Sequence, residues 1–228
     1  MAWEGQFGPD FQESWGLITA AEEALDQEGE GARILLHYLK ALLHLAQGTF
    51  EASIREWQLA LEQARATRHQ VLEGAASSHL GIALRETGRP DDAVGTLRHA
   101  VDLDERGNSP HGLAFALVHL AHTLLTIGQQ AEARDLLGRA DDIARRVQNP
   151  RCQAWAAWGR ARLAVSEGRC EVALDECGRA AELFQDREFP WAMHQLWEFV
   201  DETATVAGRP SVAQQARAQA AEARVKSS

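Results

Sequence analysis

His79 and His119 stand forty residues apart, and His122 follows His119 by one helical turn. Imidazoles in register could ligate a metal ion. Such a site needs three or four converging donors, and no cysteine or carboxylate shares their register. The acidic pairs Asp91-Asp92, Asp141-Asp142 and Asp201-Glu202 are of the type that performs general acid–base work. Their positions at helix starts and on polar faces predict solvation and pairing with the helix dipole instead. Cys170 opens a helix, where a thiolate is favoured, but no histidine is placed to activate it, and Cys177 falls in a packing slot. Glycines are spread along the chain and form no phosphate-cradling loop. Neither an enzyme nor a metal site is predicted, and no cofactor is expected.

What remains is recognition chemistry. Phe115, Trp155 and Trp158, with Arg162 and His122 beside them, combine the residue types that concentrate binding energy at interfaces. An aromatic wall with one guanidinium can hold an apolar side chain and a carboxylate together. The three-residue spacing of Trp155 and Trp158 also suits a packed core, so packing and binding both stand open for them.

The elements that position these residues follow from a period. Gly48, Gly88, Gly128, Gly168 and Gly208 fall forty residues apart. Ala60, Ala100, Ala140, Ala180 and Ala220 form a second column; Ala93, Ala133, Ala173 and Ala213 form a third, with Ser53 in the first copy. Such self-similarity marks a stacked repeat. Each copy reads as two helices: the first stops at its glycine, and the next opens at Pro90 or its equivalent. Helix pairs are predicted over 31–67, 70–106, 110–146, 150–186 and 190–225, after a lone helix at 10–28, giving eleven helices. A break at Gly107-Asn108-Ser109-Pro110 has Ser109 as its cap. The domain layout is an N-terminal arm and lone helix over 1–30, five helix pairs over 31–225, and a frayed tail over 226–228.

The chain has 228 residues, 45% hydrophobic and 25% charged, as in ordinary soluble proteins. With a net charge of −10 and lysine only at 40 and 226, neither nucleic acid nor an anionic membrane is an expected partner. Three cysteines without metal-ligand spacing, and a start without secretory character, predict reduced thiols and a cytoplasmic location.

Leu80-Gly81, Leu84, Gly88, Ala93, Leu97 and Ala100, echoed by Leu120-Ala121, Leu124, Gly128, Ala133, Leu137 and Ala140, resemble the tetratricopeptide repeat. The unit is longer than usual, similar to the lengthened repeats of kinesin light chains and of bacterial peptide-sensing regulators. The resemblance implies an all-α, right-handed solenoid of antiparallel helix pairs whose first helices line a concave groove. Carried over by register, the groove runs from Leu35, Tyr38, Leu42 and Leu45 through Ala75, Ser78, Ile82 and Arg85. It continues through Phe115, Val118, His122 and Leu125, then Trp155, Trp158, Arg162 and Val165. Gln195, Glu198, Glu202 and Thr205 form its acidic end.

The partner-binding set is Tyr38, Leu42, Arg85, Phe115, Val118, His122, Trp155, Trp158, Arg162, Glu198 and Glu202. The leading expectation is a non-enzymatic adaptor, or scaffold, that binds a protein segment or peptide along this groove. The alternative is a regulatory sensor that takes a small effector or signalling peptide around Trp155, Trp158 and Arg162. A closed pocket favours the sensor and an open trough the adaptor. Trp3, Phe7, Phe11 and Trp15 form a stripe that either staples the first helix to the stack or occupies a groove. A homodimer through that arm or through the Trp191/Trp197 region is a further expectation.

Overall fold

Glycine closes the first helix of each hairpin. Gly48, Gly88, Gly128, Gly168 and Gly208 lie at φ between 69° and 78°, where a Cβ would crowd its own backbone. In the computed structural model the described residues are 11–25, 30–184 and 190–226; they form eleven α-helices and no strand. The lone helix α1 (Phe11–Leu25) precedes α2 (Glu30–Ala46) and α3 (Phe50–Ala66), then α4 (Gln70–Glu86) and α5 (Pro90–Arg106). There follow α6 (Pro110–Thr126) and α7 (Gln130–Arg146), α8 (Pro150–Ser166) and α9 (Cys170–Phe184), and α10 (Pro190–Val206) and α11 (Pro210–Lys226). The forty-residue period therefore yields an all-α solenoid of helix pairs.

The turn between hairpins is built differently. Arg68, Asn108 and Gln148 take the left-handed conformation there, at φ 56°, 49° and 53°. Gly107, placed by the sequence at this break, keeps an ordinary φ of −81°. Backbone N–H groups of His69, Ser109 and Asn149 close these turns by donating to the carbonyls of Ala64, Asp104 and Ala144 at 2.8–2.9 Å. Asn149 caps α8 by accepting from the Cys152 N–H at 3.1 Å. Ser109 makes no such side-chain bond, so the expected serine cap is absent.

Small residues set how closely the helices approach. The columns containing Ala60 and Ala93 are buried in every copy. Ser53 fits the same place because its hydroxyl donates to the Ala41 carbonyl across the hairpin, 2.8 Å away. Gly81 is the tightest case: an added Cβ would sit 2.4 Å from Leu97 Cγ. Gly159 meets Leu137 in the same way at 2.5 Å. Trp57, Leu97, Leu137 and Cys177 share one slot and are all buried.

Curvature follows from an asymmetry in packing. The first helices touch across hairpins, α4 on α6 and α6 on α8, while no comparable contact joins the second helices α3, α5, α7 and α9 to one another among the described residues. Accordingly α4, α6 and α8 are buried nearly all round, whereas α5, α7 and α9 bury a single stripe. On the outer side, only exposed ion pairs such as Arg98–Glu132 bridge neighbouring hairpins, and these add little stability. At the ends, Trp15 fixes α1 by packing on His44 and donating to Gln47 Oε1 at 3.2 Å, which is the stapling reading for this residue. Trp3 and Phe7 lie outside the described residues, as does the Phe11 side chain. α11 buries an alanine stripe, Ala213, Ala216, Ala220 and Ala223, and leaves its polar face to solvent.

Asp104 is the exception in the core. It stands where Ala64 and Ala144 stand in the neighbouring copies, and the small Gly74 and Gly112 make room for it. Burial pushes its carboxyl up to about 6, relieved only by the Ser109 side chain.

Two outcomes are expected. Gly81→Ala forces α4 off Leu97 and costs about 1–3 kcal/mol, whereas Gly95→Ala, with open space around it, gains about 0.5–1 kcal/mol; urea midpoints measure both. Folded Asp104 holds its proton more tightly than the unfolded value of 3.8, so its contribution is greatest at low pH and declines as pH rises through about 6. Asp104→Asn should therefore raise stability at pH 8 by about 1–2 kcal/mol and bring no gain at pH 3.5, which melts at the two pH values would detect.

Candidate functional site

Rings on the inner helices, joined by Trp57 of α3, pack into a continuous spine. Tyr38 meets Trp57 edge-on at 4.8 Å between centroids, and Trp57 stacks on His79 at 5.0 Å with only 19° between planes. His79 leads to Phe115, Phe115 to His119, and His119 to Trp155 at 4.9, 4.4 and 4.8 Å. Trp155 then stacks on Trp158 at 4.9 Å. Trp155 is 1% exposed and Trp158 5%, so both pack into the core. Solvation favours charge, and three histidines here lose it. Burial lowers His79 to about 4 and takes His119 and His122 well below their ordinary range.

Hydrogen bonding assigns the His122 tautomer. Its Nε2 lies 2.7 Å from the Trp155 carbonyl, which can only accept, so Nε2 carries the hydrogen. Its Nδ1 then accepts from Arg162 Nη1 at 3.4 Å, and the same Nη1 donates to the His122 carbonyl at 3.2 Å. His122 is thus a neutral bracket that holds the guanidinium of Arg162 in place.

Beside this bracket lies a cavity of about 360 Å³ between α4, α6, α8 and α10. Arg85 and Glu86 line it from α4, His122 and Thr126 from α6, and Trp155, Trp158 and Arg162 from α8. The fourth wall is α10, with Gln195, Glu198, Phe199 and Glu202. α10 does not lie along α8 as α8 lies along α6. Instead it reaches back across the concave side: Gln195 Nε2 donates to Glu86 Oε2 at 2.6 Å, and Trp191 meets Phe50 edge-on at 5.4 Å. These contacts join residues 109 and 141 positions apart and narrow the groove into a chamber that stays open to solvent on its Glu198 and Glu202 side.

Arg85 and Glu86 form a buried ion pair at 2.7 Å, with side chains only 7% and 9% exposed. Glu86 Oε1 takes both Nε and Nη2 of Arg85, leaving Nη1 buried without a partner. The Arg85 guanidinium also faces the Trp155 ring, 5.9 Å from its centroid, a cation–π distance. Burial, then repulsion from Arg85, lowers Arg162 to about 10, with Glu86 opposing.

The expected site residues separate into three groups. Arg85, His122, Trp155, Trp158, Arg162, Glu198 and Glu202 come together around the chamber, the two glutamates on its exposed side. Tyr38, Leu42 and Phe115 lie half-buried against the core, away from it. Val118 is fully buried and serves packing alone, as do Leu45, Ser78 and Ile82, so the continuous open channel is not formed. Trp191, expected on a self-association surface, is covered by Phe50. Glu86 was not singled out, because it is adjacent to Arg85 in sequence and neighbouring helical residues do not normally face each other.

The other candidate chemistries have structural explanations. Asp141 is buried and paired with Arg145 and Arg160. Burial pushes the Cys177 thiol up to about 12. Among the described residues no three His, Cys, Asp or Glu side chains converge as a metal site, and no helix is long and apolar enough to cross a membrane. A second, open hollow of about 580 Å³ between α10 and α11 is crossed by the Asp201–Arg217 ion pair.

A tetratricopeptide repeat family model matches residues 32–106. No curated protein sequence matches the chain. Among solved structures, a Rap protein complexed with Competence and Sporulation Factor superposes with a TM-score of 0.78 at 14% identity, covering 93% of this chain and 59% of that one. The apo form of RapI gives 0.71 at 11% identity, covering 96% and 93%. BtubC (BKLC) from P. vanneervenii gives 0.63 at 17% identity, covering 97% and 92%. The chain thus spans about three fifths of the length of the complexed Rap protein. At these identities the likeness concerns the fold.

Trp155→Ala, which removes the ring shared by His119, His122, Trp158 and Phe184, should cost about 3–5 kcal/mol. Trp158→Phe deletes an indole N–H that has no partner and should stay within about 1 kcal/mol of the parent. Chemical denaturation of the two variants checks the contrast.

Proposed function

Because the chain carries tetratricopeptide repeats, we propose that it is a non-enzymatic binding module that takes hold of a peptide or a segment of a partner protein at the chamber beneath α10. The observation behind this reading is the chamber itself: aromatic walls, two guanidinium groups and a volume of about 360 Å³, within the range of small-ligand sites. An elongated ligand lying along the whole concave face is disfavoured, since Val118, Ile82 and Ser78 are already covered. The ligand instead inserts an end or a side chain, and the rest of it leaves past Glu198 and Glu202. The fold shared with a Rap protein captured in complex with Competence and Sporulation Factor supports a ligand-holding role.

The placement of α10 favours a sensor over a passive scaffold. Two long-range contacts, Gln195–Glu86 and Trp191–Phe50, hold this helix across the concavity. A ligand that binds one setting of α10 better than another shifts the population of that setting. Cys152, Cys170 and Cys177 form no disulfide, which suits a reducing, cytoplasmic working place.

The test is a plug. Peptides selected from a random display library on the intact chain should bind at least about tenfold more weakly, roughly 1.4 kcal/mol, to Thr126→Trp, whose indole fills the chamber. They should bind unchanged to Arg98→Ala on the outer face, with circular dichroism confirming equal helix content in both. Selected peptides that ignore the plug would place binding elsewhere.

A further inference from the structure

We infer that the chamber receives a single carboxylate carried on an apolar body, an inference that rests on the chamber being the binding site proposed above. Two donors on the side chains that line it have no acceptor, and a third lining cation has no counter-ion. Arg85 Nη1 and Trp158 Nε1 are buried without hydrogen-bond partners. Arg162 makes no ion pair among the described residues; its Nη1 reaches only the neutral carbonyl and ring nitrogen of His122. Buried polar groups of native proteins are paired as a rule, so unmet donors on two side chains that line one cavity favour an acceptor there.

Charge selects the kind of acceptor. Arg85 is already balanced by Glu86, which spends its second oxygen on Gln195. Arg162 forms no ion pair among the described residues, and burial beside Arg85 lowers its proton affinity although Glu86 opposes this. Glu198 and Glu202 also line the cavity but lie in solvent, which screens them, so the buried part keeps one positive charge and suits a monoanion. The flat guanidinium edges of Arg85 and Arg162 suit a planar carboxylate, and Trp155, Trp158 and Phe199 supply apolar walls for the body that carries it. A cationic ligand would have to pass Glu198 and Glu202, which lie exposed, and then meet two guanidinium groups in a drier setting where charge counts for more.

Such a carboxylate has two sources, a small free acid or the C-terminus of a peptide. The Trp158 indole N–H signal in a proton–nitrogen correlation spectrum, assigned by its loss in Trp158→Phe, reports occupancy on the intact chain. The probes are 3-phenylpropionate and acetyl-Lys-Phe with a free carboxylate, each against its carboxamide. Both acids should move the signal and bind at least tenfold more tightly than the amides, and Arg162→Gln should erase that preference while helix content stays unchanged. A tighter acetyl-Lys-Phe identifies a peptide C-terminus whose lysine meets the glutamates; equal affinities identify a small acid. Acids and amides that bind alike would overturn the carboxylate and leave the chamber standing. Silence from all four probes, with display-selected peptides still moving the signal, would overturn the carboxylate alone. Silence from the selected peptides as well would remove the chamber reading too.

Discussion

Close approach of helix backbones is the constraint on which the molecule depends. Alanine at the positions of Ala60 and Ala93, with Ser53 in the first copy, and glycine at Gly81 and Gly159, let helices cross at a distance larger residues would forbid. Because the first helices from α2 to α8 also touch their counterparts in the next hairpin and the second helices do not, each of these joints adds a small bend in the same sense. The bend is tight enough for Arg85 of α4 to lie over Trp155 of α8, two copies away. Side chains of the concave side therefore meet each other, and most of what would be a groove becomes interior.

That interior is unusually rich in groups that prefer water. His79, His119 and His122 are retained as neutral rings, stacked among tryptophans and phenylalanines where their flat shape packs well. Both ring nitrogens of His119 go without partners. Each such group opposes folding by about 1–3 kcal/mol, so the spine is held by ring packing and burial and not by its hydrogen bonds. The same neutrality has a use. A charged His122 would repel Arg162, whereas the neutral ring offers it an acceptor and fixes its direction.

The architecture was legible because it is written five times on one forty-residue ruler: Gly48 and its equivalents end helices, Pro90, Pro110 and Pro150 begin them, and the register carries through to Gly208. Local chemistry sufficed for that. Asn108 in place of Gly107 shows the limit, since which of two adjacent residues turns left-handed depends on how the turn's hydrogen bonds close. The site was legible by face and not by depth. Register puts Arg85, Trp155, Trp158 and Arg162 on inward sides, where they line one cavity, but the degree of winding decides whether an inward residue is exposed, and no periodicity encodes it. Val118 and Ile82 were lost to burial for this reason. Glu86, Gln195 and Phe50 acquired their roles from α10 leaving the stacking line of α8, a rigid-body displacement with no signature in residue spacing.

That displacement changes the mechanics of the whole spiral. A spring with free ends can uncoil at one joint without disturbing the rest. Tying α10 to α4 and to the start of α3 makes a hoop of it, in which rotation at any joint must be matched by rotation elsewhere. The outer seam between α5 and α7, crossed by the exposed Arg98–Glu132 and Arg139–Glu105 pairs, is consequently coupled to residues it never touches. Surface events on the convex side, far from any aromatic ring, gain a route to the width of the space beneath α10.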